Sequence, residues 1–164
     1  MKISTKTIDD NSPVYVIAEI GLNHNGDMEL AKKLIIEAKR SGADAVKFQK
    51  RFPDECVPEK KKLELRATPW GEMTYLEYRY RVEFGEEEYK EIDDFCLKEN
   101  IDWFVSVWDH SSVDFMKQFN PIAIKIPSDK MNDLEFLEKT KELKCPIILS
   151  SGGSTEDVIE DAIS

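Results

Sequence analysis

Short apolar runs alternate with amphipathic stretches five times along this chain, and few architectures accept that rhythm. Residues 14–18 are rich in β-branched side chains and lie between Pro13 and Gly21, which predicts a buried strand. Asp27 then caps a helix whose apolar positions, Leu30, Ala31, Leu34, Ile35 and Ala38, recur at helical spacing until Ser41 and Gly42 stop it. Further strands are predicted at 44–49, with residues 45–48 as the apolar-alternating run, and at 103–107, 122–126 and 146–149. Helices are predicted at 86–100, with Tyr89, Ile92, Phe95, Cys96 and Leu97 on the apolar face, at 111–119 behind a serine, at 132–143 and at 155–164. Alternation of this kind makes parallel strands covered by helices.

An open doubly wound sheet and a (β/α)8 TIM barrel both fit the pattern. No strand is followed by a GxGxxG or GxxxxGK(S/T) turn, so the phosphate-cradling signatures of nucleotide-binding open sheets are missing. As a barrel, residues 1–164 would supply about the first five βα units, little more than half the ring.

Charge and cysteine content narrow the classes of partner. The chain has 23 Lys+Arg against 33 Asp+Glu, a formal net charge of −10. Such a surface repels phosphodiester backbones and anionic lipid, so neither nucleic acid nor membrane is an expected partner. No apolar run approaches the roughly 20 residues of a membrane span, and the first residues lack a signal-peptide pattern. Cys56, Cys96 and Cys145 are odd in number and far apart, which argues against a disulfide framework or a zinc ribbon. A reduced, cytoplasmic protein is the expectation.

One connection is unusual. Between the second predicted strand and the helix at 86 lies a segment, residues 50–85, far longer than the 2–6 residues usual for a βα loop. It carries Lys60, Lys61 and Lys62, then Trp70, Gly71, Tyr75, Tyr78 and Tyr80, with a short helix expected near 75–81. It is either a surface excursion with its own aromatic cluster or a lid over the strands' carboxyl ends. Its position favours the lid, because loops after parallel strands lie on the face where barrel active sites form.

Polar residues gather at those strand ends. Glu19 closes the first strand, Lys47 and Gln49 the second, and Ser106 the third; Lys125 and Ser128 close the fourth, and Ser150, Ser151 and Gly152 the fifth. A buried Lys or Glu costs several kcal/mol unless it is paired or binds something. Glu19 paired with Lys47 or Lys125 in a structural network would explain any one of them. The recurrence at one end favours function, and lysines with serine hydroxyls suit an anionic ligand. His24, in the turn Asn23-His24-Asn25-Gly26, is open to a substrate-positioning or acid–base role and equally to a structural one. His24 and His110 do not by themselves make a metal site.

Residues 18–26, Ala-Glu-Ile-Gly-Leu-Asn-His-Asn-Gly, resemble the AEIGxNHxG signature of the sialic acid synthase family. Val46-Lys47-Phe48-Gln49 resembles that family's second strand, and residues 69–75 with Glu83-Phe84 its WG-x-TY…EF loop. Lys125-Ile126-Pro127-Ser128 and Ile148-Leu149-Ser150-Ser151-Gly152 are similar to its fourth and fifth strands. The matches run in order over nearly the whole chain. The resemblance implies a TIM-barrel synthase, a C–C bond-forming transferase, that condenses phosphoenolpyruvate with an N-acetylmannosamine-type aldehyde to give a sialic acid or related nonulosonate. It implies a divalent metal, usually manganese, with ligands on later strands outside these residues. It also implies a C-terminal antifreeze-like domain in a domain-swapped homodimer.

Residue by residue, the resemblance makes Glu19, Lys47 and Lys125 catalytic. It makes Asn23, His24, Gln49, Tyr75, Ser106, Ser128, Lys130 and Ser150 substrate-binding. Lys47, Lys125, Ser128 and Ser150 match positions that hold phosphoenolpyruvate, in agreement with the anion site argued above. Lys130 stands where the family often has an acid, and Val107 where many members have a threonine. Two rivals remain at this point: a Schiff-base aldolase with Lys125 or Lys47 as nucleophile, and a non-catalytic sugar-binding module.

Overall fold

The computed structural model describes all of residues 1–164. An antiparallel hairpin of β1 (Lys2–Ile3) and β2 (Lys6–Thr7) precedes the alternating region. The main strands are β3 (Ile17–Gly21), β4 (Ala45–Lys50), β7 (Asp102–Val107), β8 (Ile124–Ile126) and β9 (Ile147–Leu149). Between β4 and β7 lie α2 (Pro53–Cys56), α3 (Glu59–Lys62), the hairpin β5 (Leu65–Thr68) and β6 (Gly71–Thr74), α4 (Tyr75–Val82) and α5 (Glu86–Glu99). The other helices are α1 (Met28–Arg40), α6 (His110–Met116), α7 (Leu134–Thr140) and α8 (Glu156–Ile163), with single 3₁₀ turns after α6, β8 and α7.

The main sheet is parallel throughout, in the order β3-β4-β7-β8-β9. Every strand therefore pairs with the next main strand in the chain. A doubly wound sheet reverses its strand order at a switch point, and this one does not. Period-two alternation sorts the side chains. Ile20, Val46, Phe48, Val105, Val107, Ile124 and Ile126 face the helices, where Ala31, Ile35, Tyr89, Ile92 and Met116 join them in the main core. Ala45, Phe104 and Ala123 face the other way and are covered at their amino ends by Ile3 of the first hairpin. No helix is long and apolar enough to cross a membrane.

Several boundaries differ from the sequence expectation for local reasons. The first main strand begins at Ile17, not 14: Val14 and Val16 are exposed, and the Asp44 carboxylate takes the Val16 N–H at 2.6 Å. The helix expected behind a serine is capped by Asp109, whose carboxylate accepts the Ser112 N–H at 2.6 Å. Leu97, placed on the apolar face of α5, is 81% exposed. The apolar side of that helix is Tyr89, Ile92 and Cys96 alone among its buried residues.

Candidate active site

The inward face of the sheet changes character along its strands. Toward the amino ends it is apolar; toward the carboxyl ends it carries Glu19, Lys47, Gln49, Ser106 and Lys125. Glu19 sits opposite Lys47, and Ser106 opposite Lys125. Lys47 Nζ is ion-paired with Glu19 and donates to Ser106 Oγ at 2.5 Å. Gln49 Nε2 donates to Glu19 Oε1 at 3.4 Å. The Glu19 side chain is half-exposed while Lys47 is buried, so the pair opens on one side. A register shift between Glu19 and Gly21 loosens the ladder here. Gly21 has φ +57°, and a Cβ there would lie 3.0 Å from Glu19 Oε1 and 3.2 Å from Gln49 Nε2. A side chain at 21 would be strained and would displace the Glu19–Gln49 contact.

The electrostatics suit an anion. Burial pulls the Lys47 ammonium below its ordinary pKa; Glu19 opposes this, while the charges of Lys125 and Arg51 reinforce it. Lys125 is lowered likewise, first by burial and then by Arg51, against the pull of Glu19 and Asp129. Two partly desolvated ammonium groups that repel each other are both relieved by a bound carboxylate or phosphate.

The loops after β8 and β9 complete this end. Ser128 opens a 3₁₀ turn, and its Oγ lies 3.7 Å from where a Cβ on Gly152 would stand. Ser150 follows β9, its N–H donating to Ile126 O at 3.1 Å. Lys130 is held by Asp133 at 3.1 Å and, with Tyr75, lines a neighbouring cavity. Asn23 is exposed in the turn after β3. His24 corrects the expectation of a substrate contact. It is 1% exposed, its ring stacks on Phe84 with centroids 3.9 Å apart, and its Nδ1 accepts the Gly26 N–H. Burial lowers its pKa to about 4, against a hydrogen bond with the Gly21 backbone and the charge of Asp27. It is a neutral core residue that shapes the turn.

Other residues of this region were not singled out from sequence. Arg51 is buried and stacks on Trp108, and Arg79 of α4 lines the same cavity. Arg51 continues the Lys47–Gln49 alternation one step further, a signal hidden by ending the predicted strand at 49. No three His, Cys, Asp or Glu side chains group as metal ligands would.

A helix-covered parallel sheet whose carboxyl ends gather lysines, serines and a carboxylate is a layout that α/β enzymes use for anionic substrates. The chain matches the NeuB family over residues 34–164, and it belongs to that family. It is 37% identical over 163 residues to the N-acetylneuraminate-9-phosphate synthase of Drosophila melanogaster, covering 96% of this chain and 42% of that protein. It is 35% identical to the N,N'-diacetyllegionaminic acid synthase of Legionella pneumophila, covering 84% of this chain and 39% of that one. The crystal structure of N-acetylneuraminic acid synthetase from Leptospira borgpetersenii in complex with citrate superimposes with a TM-score of 0.82 at 29% identity, over 96% of this chain and 53% of that chain. The chain thus spans about two-fifths of the length of these curated relatives.

Proposed function

We propose that this chain carries the phosphoenolpyruvate-holding part of a nonulosonate synthase. The reaction would join phosphoenolpyruvate C3 to the aldehyde carbon of an N-acetylmannosamine-type sugar, add water at C2, and expel phosphate with C–O cleavage. The contact of Lys47 with Glu19 and Ser106, beside Lys125, is the observation that carries this reading. The two ammonium groups would neutralise the carboxylate and phosphate, and their depressed pKa values mean that they gain from an anion between them. Ser106, Ser128 and Ser150 would donate hydroxyls to the same oxygens. Glu19, open on one side, would orient the sugar or take a proton from it.

For the whole protein the proposal extends to an eight-stranded barrel of which this sheet is an arc, and to a C-terminal antifreeze-like domain. It extends further to a homodimer and to a divalent cation, manganese, held by residues outside these 164. The relatives' names support sugar acids of the sialic, legionaminic and pseudaminic type as products.

Lys47→Met tests the reading. Replacing a buried, pKa-depressed lysine by a thioether of similar length is expected to leave stability unchanged or raise it by about 1 kcal/mol. Phosphate release from phosphoenolpyruvate with an N-acetylmannosamine acceptor should fall at least roughly 100-fold. Full activity in the variant would dismiss the anion role. Borohydride trapping with pyruvate should leave Lys125 and Lys47 unmodified; a reduced adduct would favour the Schiff-base aldolase.

A further inference from the structure

Asp109 is buried, and its two carboxylate oxygens serve different elements. Oδ1 accepts the Ser112 N–H and hydroxyl, both at 2.6 Å, and so caps α6. Oδ2 accepts the Phe52 N–H and the Cys56 thiol, both at 2.8 Å. Phe52 and Cys56 stand at the two ends of α2, the root of the long segment that follows β4. A helix cap needs one oxygen only. The second fastens the loop after β4 to the loop after β7, strands that lie side by side in the sheet.

One residue earlier the same two loops meet again. The Arg51 guanidinium stacks on the Trp108 ring, 3.8 Å from its Cζ, and makes neither an ion pair nor a hydrogen bond. The Trp108 indole N–H is buried without an acceptor, so no directed bond of either side chain fixes the stack. The backbone on each side of Arg51 is what is held. Glu83 takes the Arg51 N–H at 3.0 Å, and Asp109 takes the Phe52 N–H. Glu83 belongs to the segment itself, whereas Asp109 stands on the next strand's loop. The position so fixed matters electrostatically. The charge of Arg51 adds to burial in lowering the pKa of both Lys47 and Lys125, so it also acts on whatever those lysines hold. Arg79 and Lys130 bring further positive charge to the adjoining cavity, and the Asp129 carboxylate, which lines it without a partner, offsets part of it. A fixed cation beside a site for a multiply charged anion strengthens binding without touching the ligand. We infer that Asp109 is a positioning residue: through the Phe52 N–H it holds Arg51 beside the Lys47–Lys125 site and so strengthens that site's hold on phosphoenolpyruvate. This rests on the synthase reading above.

Asp109→Asn separates the two roles, because asparagine caps a helix about as well as aspartate. If its amide oxygen keeps Ser112, its NH2 group, a donor, is turned onto the Phe52 N–H. Phosphoenolpyruvate binding is measured by isothermal titration calorimetry, with manganese present, in the whole protein as wild type, Asp109→Asn, Arg51→Met and the double variant. Each single variant should bind about tenfold more weakly, and the double variant no more weakly than either, because both act through one charge. Misfolded protein lowers the stoichiometry and leaves the dissociation constant of the rest unchanged, so damage to the fold is read separately. A wild-type dissociation constant in Asp109→Asn, or losses that add in the double variant, would overturn the inference and leave the synthase reading intact. A wild type that does not bind phosphoenolpyruvate removes the synthase reading, and the inference with it. Amide hydrogen exchange reads the contact itself. In Asp109→Asn the amides of residues 52–56 should exchange faster while the Ser112 amide stays protected. Unchanged protection at 52–56, or a loss at Ser112 alone, would reduce Asp109 to a helix cap and overturn the inference.

Discussion

His24 ties the fold's stability to pH. Its folded pKa of about 4 lies below the ordinary 6.5, so the unfolded chain takes up the proton first as pH falls. The contribution is fully present above pH 6.5 and is lost progressively down to about pH 4, amounting to about 3 kcal/mol. Urea unfolding at pH 7 and at pH 4.5 should show this loss, and His24→Phe, which keeps a ring against Phe84, should flatten it. Equal losses in both proteins would assign the acid sensitivity to carboxylates instead. At this scale the sequence was informative wherever alternation on a strand continues from a recognisable core position. Lys47 and Gln49 are legible from Val46 and Phe48, because residues of opposite parity must face opposite ways. His24 was not, since nothing in the turn's composition tells whether the ring points to solvent or onto Phe84. Trp108 stayed hidden for another reason: its importance lies in a missing hydrogen bond, which only tertiary packing creates.

The segment from Arg51 to Gly85 is a folded element, and its two ends are locked together. Lys50 is buried at the end of β4, 3.2 Å from Glu83 and 2.7 Å from Phe84 O, and Glu83 also accepts the Arg51 N–H at 3.0 Å. Burial raises the Glu83 pKa, opposed by the Lys50 and Arg51 charges. Gly26 seats the other side. Its φ is +74°, and a Cβ would stand 2.3 Å from Arg81 O, so the turn after β3 meets the end of α4 only through a glycine. Glu83→Ala, which strands the Lys50 charge, should destabilise by about 3 kcal/mol, while Lys50→Met with Glu83→Leu should restore most of that. A double variant that loses as much stability as Glu83→Ala or more, measured by chemical denaturation, would show that the loss does not come from a stranded Lys50 charge. The length of the segment and its short aromatic helix were legible, and α4 forms where the spacing placed it. The β5–β6 hairpin was not: its residues are largely exposed and show no apolar alternation, so its pairing rests on backbone hydrogen bonds.

For the molecule as a whole, the sequential sheet order leaves β3 and β9 as edges. Each presents a row of backbone donors and acceptors with no neighbour, which is a template for pairing with another chain. Ile147, Ile148 and Leu149 of β9 are only partly buried, and Val14 and Val16 just before β3 are exposed. The inward face adds Lys47 and Lys125, whose pKa values burial lowers in spite of Glu19. In a closed barrel the first and last strands pair and such edges vanish. The 164-residue chain studied alone should therefore self-associate through its sheet edges. The net charge of −10 opposes this by mutual repulsion, so association should strengthen as salt screens it, the Debye length falling from about 10 Å at 0.1 M to about 3 Å at 1 M. Sedimentation velocity across protein concentration and ionic strength reads both effects. An edge-paired species should grow with each, and an association driven instead by contacts between opposite charges would shrink with salt. A monomer at every concentration and salt level would mean that the first hairpin and the exposed residues before β3 shield the edges well enough for this sheet to stand alone.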